Sequence, residues 1–133
     1  METTLIKEML KHHNKIHILF DAFKKKHDKE SFELFKWELE KHFFAEEKVI
    51  FTKVNENDAE IVEMIKNVAK EHDAMLKIIS SIEKNLTNTE KIEEFERLLK
   101  KHQISEDNEL YPTMELELNK ETIAIMLKKL KGD

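Results

Sequence analysis

The sequence predicts an all-α protein, an up-down-up-down antiparallel four-helix bundle with a short C-terminal helical extension. Two observations lead there. The 133 residues include one Gly and one Pro, 38% of them are charged, and the apolar positions recur at helical spacing. The chain also repeats itself. A shift of 60 takes His42 and Glu46 to His102 and Glu106, and with them Phe32 to Ile92, Phe35 to Phe95, Leu39 to Leu99 and Phe51 to Tyr111. A shift of 59 takes Ile6, Met9, His13, Ile16, Phe20 and Phe23 to Ile65, Val68, His72, Met75, Ile79 and Ile82. The six residues from Ile6 to Phe23 and their six matches from Ile65 to Ile82 each step by 3 and 4 in alternation, the spacing of a buried helical seam. Two copies of one helical hairpin follow, and at this length they form a single domain.

In chain order, the first helix is expected from about Thr3 to His27. The second starts near Ser31, a residue suited to an N-cap, and runs to about Val54. The polar stretch 55–58 separates it from a third helix over roughly Ala59 to Asn85. Thr87 to Glu90 reads as a turn into an N-cap, and the fourth helix continues to about Leu110, where Pro112 interrupts the pattern. The bundle thus takes residues 3–111. Residues 113–131, apolar at Met114, Leu116, Leu118, Ile123, Met126, Leu127 and Leu130, form one or two short helices packed outside it. Short loops between long helices make the neighbours antiparallel. Trp37 lies off the seam and is expected against the C-terminal segment, with the six methionines filling core.

Composition excludes several function classes. A net charge of −5 without a basic stripe argues against a nucleic-acid partner. The absence of cysteine rules out a disulfide, an iron–sulfur cluster and a thiol nucleophile, and suits the cytoplasm. Residues 1–10 lack a basic segment followed by an apolar run, so no signal peptide is expected. No stretch approaches the ~20 apolar residues of a membrane span.

The chemistry lies in the seam. His42 and Glu46 are four apart, hence on one helical face, in line with apolar Phe35 and Leu39. Burying an imidazole and a carboxylate there is costly unless something pairs with both. A metal ion does, since neutral imidazole and ionised carboxylate are ligands for iron, zinc and manganese. Each helix brings a candidate ligand: His13, then His42 and Glu46, then His72, then His102 and Glu106. Four imidazoles and two carboxylates suit two metal ions, each with two histidines and both carboxylates shared. A single seam histidine is more often satisfied by a neighbouring carboxylate without metal, but core polar groups are rare and a set of six duplicated in register is not accounted for that way.

These residues resemble the hemerythrin family in its broad, HHE cation-binding sense. The resemblance is carried by His13 with Ile16, Leu19 and Phe20 behind it, by His42-Phe43-Phe44-Ala45-Glu46-Glu47, by Glu71-His72, and by His102-x-x-x-Glu106 followed by Leu110-Tyr111-Pro112. It covers residues 5–112 and implies two non-haem iron ions bridged by both carboxylates, with an oxo or hydroxo bridge. The Glu-x-x-His pairs of a ferritin-like site are absent around these histidines. Two departures stand out. The oxygen carriers of the family have a second histidine on the third helix where this chain has Val68, and their last helix carries His-x-x-x-x-Asp. The set of four histidines and two glutamates is similar to the di-iron domain of bacterial proteins that repair iron centres after nitric oxide stress, which usually add a cysteine-bearing segment.

His17, one turn after His13, is a candidate fifth imidazole; its counterpart in the second half is Leu76. As a ligand it would close one iron and leave the other open for O2. Without it both irons are alike, as in the nitric oxide stress proteins. His12 and His27 read as solvent-facing, and Glu47 as a residue beside the ligands or on the surface. The implied function is a non-haem di-iron protein binding O2 or NO for sensing, storage or detoxification. Alternatives are a di-iron enzyme or iron donor in peroxide or NO stress repair, and a bundle holding zinc or manganese structurally.

Overall fold

A computed structural model describes residues 4–131. Thr3 and Met1, assigned above to the first helix and the core, lie outside them. Four long helices form the bundle: α1 (Leu5–Lys26), α2 (Lys29–Phe44), α3 (Ala59–Lys84) and α4 (Thr89–Ser105). α1 packs against α2 and α3 against α4, each pair joined by a short loop. Beyond α4 come α5 (Tyr111–Glu117) and α6 (Lys120–Leu130). The described residues contain no strand.

Side-chain caps fix where most helices begin. Thr4 accepts from the Lys7 N–H, Asp28 from Ser31, Asn88 from Lys91 and Asn119 from Thr122. Each such cap contributes ~1 kcal/mol. Ser31 is therefore not the N-cap of α2. Asp28, three residues earlier, takes that position because its carboxylate reaches the Ser31 N–H at 2.9 Å. α1 ends on His27, whose φ of 52° is the left-handed turn that often closes a helix.

The second and fourth helices do not continue as plain α-helices. Each widens into a π-helical segment, Ala45–Ile50 after α2 and Glu106–Leu110 after α4. Each closes with an N–H bond across five residues, Phe51 to the Glu46 carbonyl and Tyr111 to the Glu106 carbonyl. Pro112 does not break the chain's course, because it falls in the first turn of α5, where a helix tolerates a missing N–H.

Two apolar clusters fill the bundle. One, near the α1–α2 and α3–α4 loops, is built on Phe20, Phe23, Phe32, Phe35 and Phe95. Phe20, Phe35 and Phe95 meet with centroids 5.0–5.5 Å apart. The other joins Leu5, Met9, Ile61 and Val68 to Ile50, Leu110, Tyr111, Met114 and Met126. The C-terminal segment is thus part of the core at that end, and Glu115 accepts the Ile6 N–H at 2.7 Å. Trp37 is not covered by it. At 61% exposure it stands on the outer side of α2, under the Lys41 ammonium 5.0 Å from its ring. On every bundle helix the polar seam residues fall between the two apolar clusters.

Candidate metal centre

All six seam residues meet in that layer. His13, His42, Glu46, His72, His102 and Glu106 are each at most 4% exposed. The histidines come from the four helices, and both glutamates stand at the start of the π-helical segments. Every imidazole turns Nε2 inwards. His72 Nε2 lies 3.0 Å from Glu46 Oε1, and His13 Nε2 lies 3.0 Å from Glu106 Oε1. His42 Nε2 is 3.4 Å from Glu46 and 4.0 Å from Glu106, and His102 Nε2 is 3.3 Å from Glu106 Oε2. Two groups of donor atoms result, each spanning no more than 4.8 Å: Glu46, His72, His102 and Glu106 in one, His13, His42 and Glu106 in the other.

A second ring of residues stands behind the imidazoles. His13 Nδ1 is 3.0 Å from Asp107, His72 Nδ1 is 3.4 Å from Glu47, and His102 Nδ1 is 2.6 Å from Glu71. His42 Nδ1 instead faces Nδ1 of His12 at 3.2 Å. Phe43 stacks on the His72 ring with centroids 3.8 Å apart, and the Tyr111 hydroxyl donates to Glu46 Oε2. A neutral imidazole that keeps its proton on the Nδ1 facing such an oxygen leaves its Nε2 lone pair pointing inwards.

The charges are balanced on a narrow margin. Burial would lower the pKa of His13, but Asp107 and Glu106 outweigh it and raise it to about 9. Burial is likewise overcome at His102 by Glu106 and Glu71, which raise it to about 10. Burial, then the charge of Glu106, pushes Glu46 up, so it holds a proton more readily than a free carboxyl. Glu106 goes well down despite burial, held ionised by contacts with Glu46, His102, His13 and His42. Burial and the charges of His42 and His13 lower His12 to about 4.

The residues fit metal ions. Nε2 of His42 and of His102 and Oε2 of Glu106 are buried without a hydrogen-bond partner among the described residues. Buried polar atoms left this way are costly, and these three face inwards. Glu8 Oε2, His13 Nδ1, His72 Nδ1, Gln103 Nε2 and Asp107 Oδ1 are likewise unpartnered outside the inward-facing set. Imidazole lone pairs converging on carboxylate oxygens repel unless protons or cations lie between them. Four imidazoles and two carboxylates are the donor set that iron, zinc and manganese accept. These six residues could hold metal.

The candidate fifth imidazole does not join them. His17 is exposed, belongs to neither donor group, and lines a groove between α1 and α4 beside Phe20, Leu99, Gln103 and Asp107. The neighbouring Ile16 is the residue of that turn which points inwards, fully buried. His12 corrects the sequence reading in the other direction, being half-buried against His42 rather than turned to solvent. Asp107, Glu71 and Tyr111 also make contacts at the site that spacing alone does not assign. The repeat held a signal for most of them: a shift of 59 relates His12 to Glu71, and a shift of 60 relates Glu47 to Asp107.

No helix among the described residues is long and apolar enough to cross a membrane. No curated protein and no solved structure matches the chain. The hemerythrin HHE cation-binding domain matches it over residues 4–114, which takes in every bundle helix, both π-helical segments and all six inward-facing residues, and the chain belongs to that family.

Proposed function

We propose that the chain is a non-haem di-iron protein that binds a diatomic gas, with NO favoured over O2. The observation that carries this is the convergence of four imidazole Nε2 atoms and two carboxylates, all buried, into two donor groups that share Glu106. His13 and His42 would hold one ion and His72 and His102 the other, with Glu106 common to both donor groups and Glu46 beside His42 and His72. When bound, the iron pair supplies the redox chemistry and the open coordination position for the gas.

The chain's own residues do the rest. Asp107, Glu47 and Glu71 orient three of the imidazoles through Nδ1. Tyr111 fixes Glu46 by donating to the oxygen turned away from His72. Phe43, Leu39, Leu99, Ile16 and Met75 are buried around the site and keep bulk water from it. With His17 outside, each position has two imidazoles, so neither is closed by a third. That count of two imidazoles at each position is the one associated above with nitric oxide stress rather than with oxygen carriage.

The test is metal analysis and visible spectroscopy of protein purified without oxygen, before and after adding NO or O2. The reading expects two irons per chain and a reversible, stoichiometric spectral change with NO. Repeated consumption of NO or peroxide would instead establish the enzymatic alternative. Zinc or manganese at full occupancy, with no response to either gas, would overturn the reading.

A further inference from the structure

We propose that the two metal positions are unequal and that His12 makes them so: the position held by His13 and His42 fills second and empties first. This rests on the di-metal reading above and adds an order of loading to it.

The internal repeat relates the residues behind the ligands as well as the ligands. Glu47 and Asp107, each one residue beyond a central glutamate, stand behind His72 and His13. His12 and Glu71, each one residue before a ligand histidine, stand behind His42 and His102. In three of these four places a carboxylate oxygen faces Nδ1, and in the fourth an imidazole nitrogen does. The substitution of His12 for the expected carboxylate is the one break in an otherwise duplicated ring.

The break has a chemical consequence. An imidazole that gives its Nε2 lone pair to a metal keeps its proton on Nδ1 and donates it outwards. His42 must then donate to His12 Nδ1, which leaves the His12 proton on Nε2, facing Glu8 Oε1 at 3.8 Å. A carboxylate acceptor makes the ligating ring more basic, and a neutral nitrogen acceptor does so less. His42 is thereby the weakest donor of the four. The inner geometry points the same way. The position of His72 and His102 gathers both glutamates into one compact group, whereas His13 and His42 form such a group with Glu106 alone, Glu46 standing 3.4 Å from His42 but outside it.

Cobalt(II) titration of the full, metal-free chain tests this, followed by calorimetry and by visible absorption. The expected isotherm has two steps of one metal each, the second at least ~10-fold weaker, in line with the 10–100-fold effect of such outer partners. His12→Glu, made with Glu8→Gln to avoid a new pair of like charges, should tighten only the second step, relative to Glu8→Gln alone. The reciprocal Glu71→His should weaken only the first. A purely structural role for either residue would move both steps together. Two equal steps in the unaltered chain, or His12→Glu leaving the second step where it was, would overturn the proposal. Should that variant not fold, Glu71→His decides, since an unmoved first step would equally overturn it. One metal per chain, or none, would overturn the di-metal reading and the proposal together.

Discussion

In the first half of the bundle, α1 and α2 carry His13, His42 and Glu46 to the centre; in the second, α3 and α4 carry His72, His102 and Glu106 there, 59 or 60 residues later. Both halves use a π-helical segment at the glutamate, and both place the residue after that glutamate against a histidine of the opposite half. They part company one layer out. His12 answers to Glu71, exposed His17 to half-buried Leu76, and Phe51 to Tyr111. The six inner residues are of the same types, so the two halves agree there. The outer positions, proposed above to set affinity and order, are where the halves diverge. Tyr111 shows this as plainly as His12. It donates to Glu46, whereas Phe51 has no hydroxyl to offer Glu106, and Glu106 Oε2 stays without a hydrogen-bond partner among the described residues.

Removing the metals should break the comparison at its centre and have the largest effect. A site saturated at a thousand times its Kd contributes about 4 kcal/mol to folding, so chelation should lower the melting temperature by many degrees. Differential scanning calorimetry with and without a chelator checks it. An unchanged melting temperature would mean the six buried residues are held together without metal.

The chelated protein should then depend on pH in a direction set by His13 and His102. Their folded pKa values, about 9 and about 10, lie above the ordinary 6.5. The native state therefore holds protons that the unfolded chain gives up. The stability this supplies is complete below about pH 6.5 and disappears as pH rises through 9 to 10. Urea unfolding of the chelated chain should give a lower midpoint at pH 10 than at pH 7. Metal affinity should rise over the same window, since each bound ion displaces those protons. A midpoint that climbs with pH would show the two histidines to be neutral without metal.

Tyr111→Phe sharpens the comparison by making the second half match Phe51 of the first. It leaves Glu46 Oε2 buried without its donor and should cost ~1–3 kcal/mol by urea unfolding. A change within error would mean that Glu46 finds another donor. The smallest effect belongs to His17→Leu, which copies Leu76. An exposed residue outside both donor groups should change stability by no more than ~0.5 kcal/mol and leave the metal content and visible spectrum as they were. An altered spectrum would place His17 on the metal after all.

Much of this was legible in the residues. The alternating steps of 3 and 4 define the seam, and the repeat marks the six inward-facing side chains without any knowledge of the third dimension. The π-helical segments were not legible, because one extra residue in a helical turn shifts register without leaving an apolar gap; the run from Phe43 to Phe51 reads as continuous helix. Asp28 and Ser31 are both capping residues three apart, and only the chain's entry angle decides between them. Trp37 stands midway along the outer side of α2, while the C-terminal helices pack beyond that helix with Ile50 and Phe51, a separation that spacing along α2 does not reveal. His12 went unseen for a different reason. One residue before an inward-facing position is ordinarily the flank of a helix, and it reaches His42 only because α1 and α2 pack closely at that level.

The central claim is that the duplicated half-sites make one centre with two metals. Iron content per chain, measured on fully reconstituted protein separated from free metal, tests it most directly. The account predicts two irons per folded chain, falling towards one in His42→Ala and in His102→Ala. One iron per chain in the saturated, unaltered protein, with both Glu46 and Glu106 needed to hold it, would contradict it.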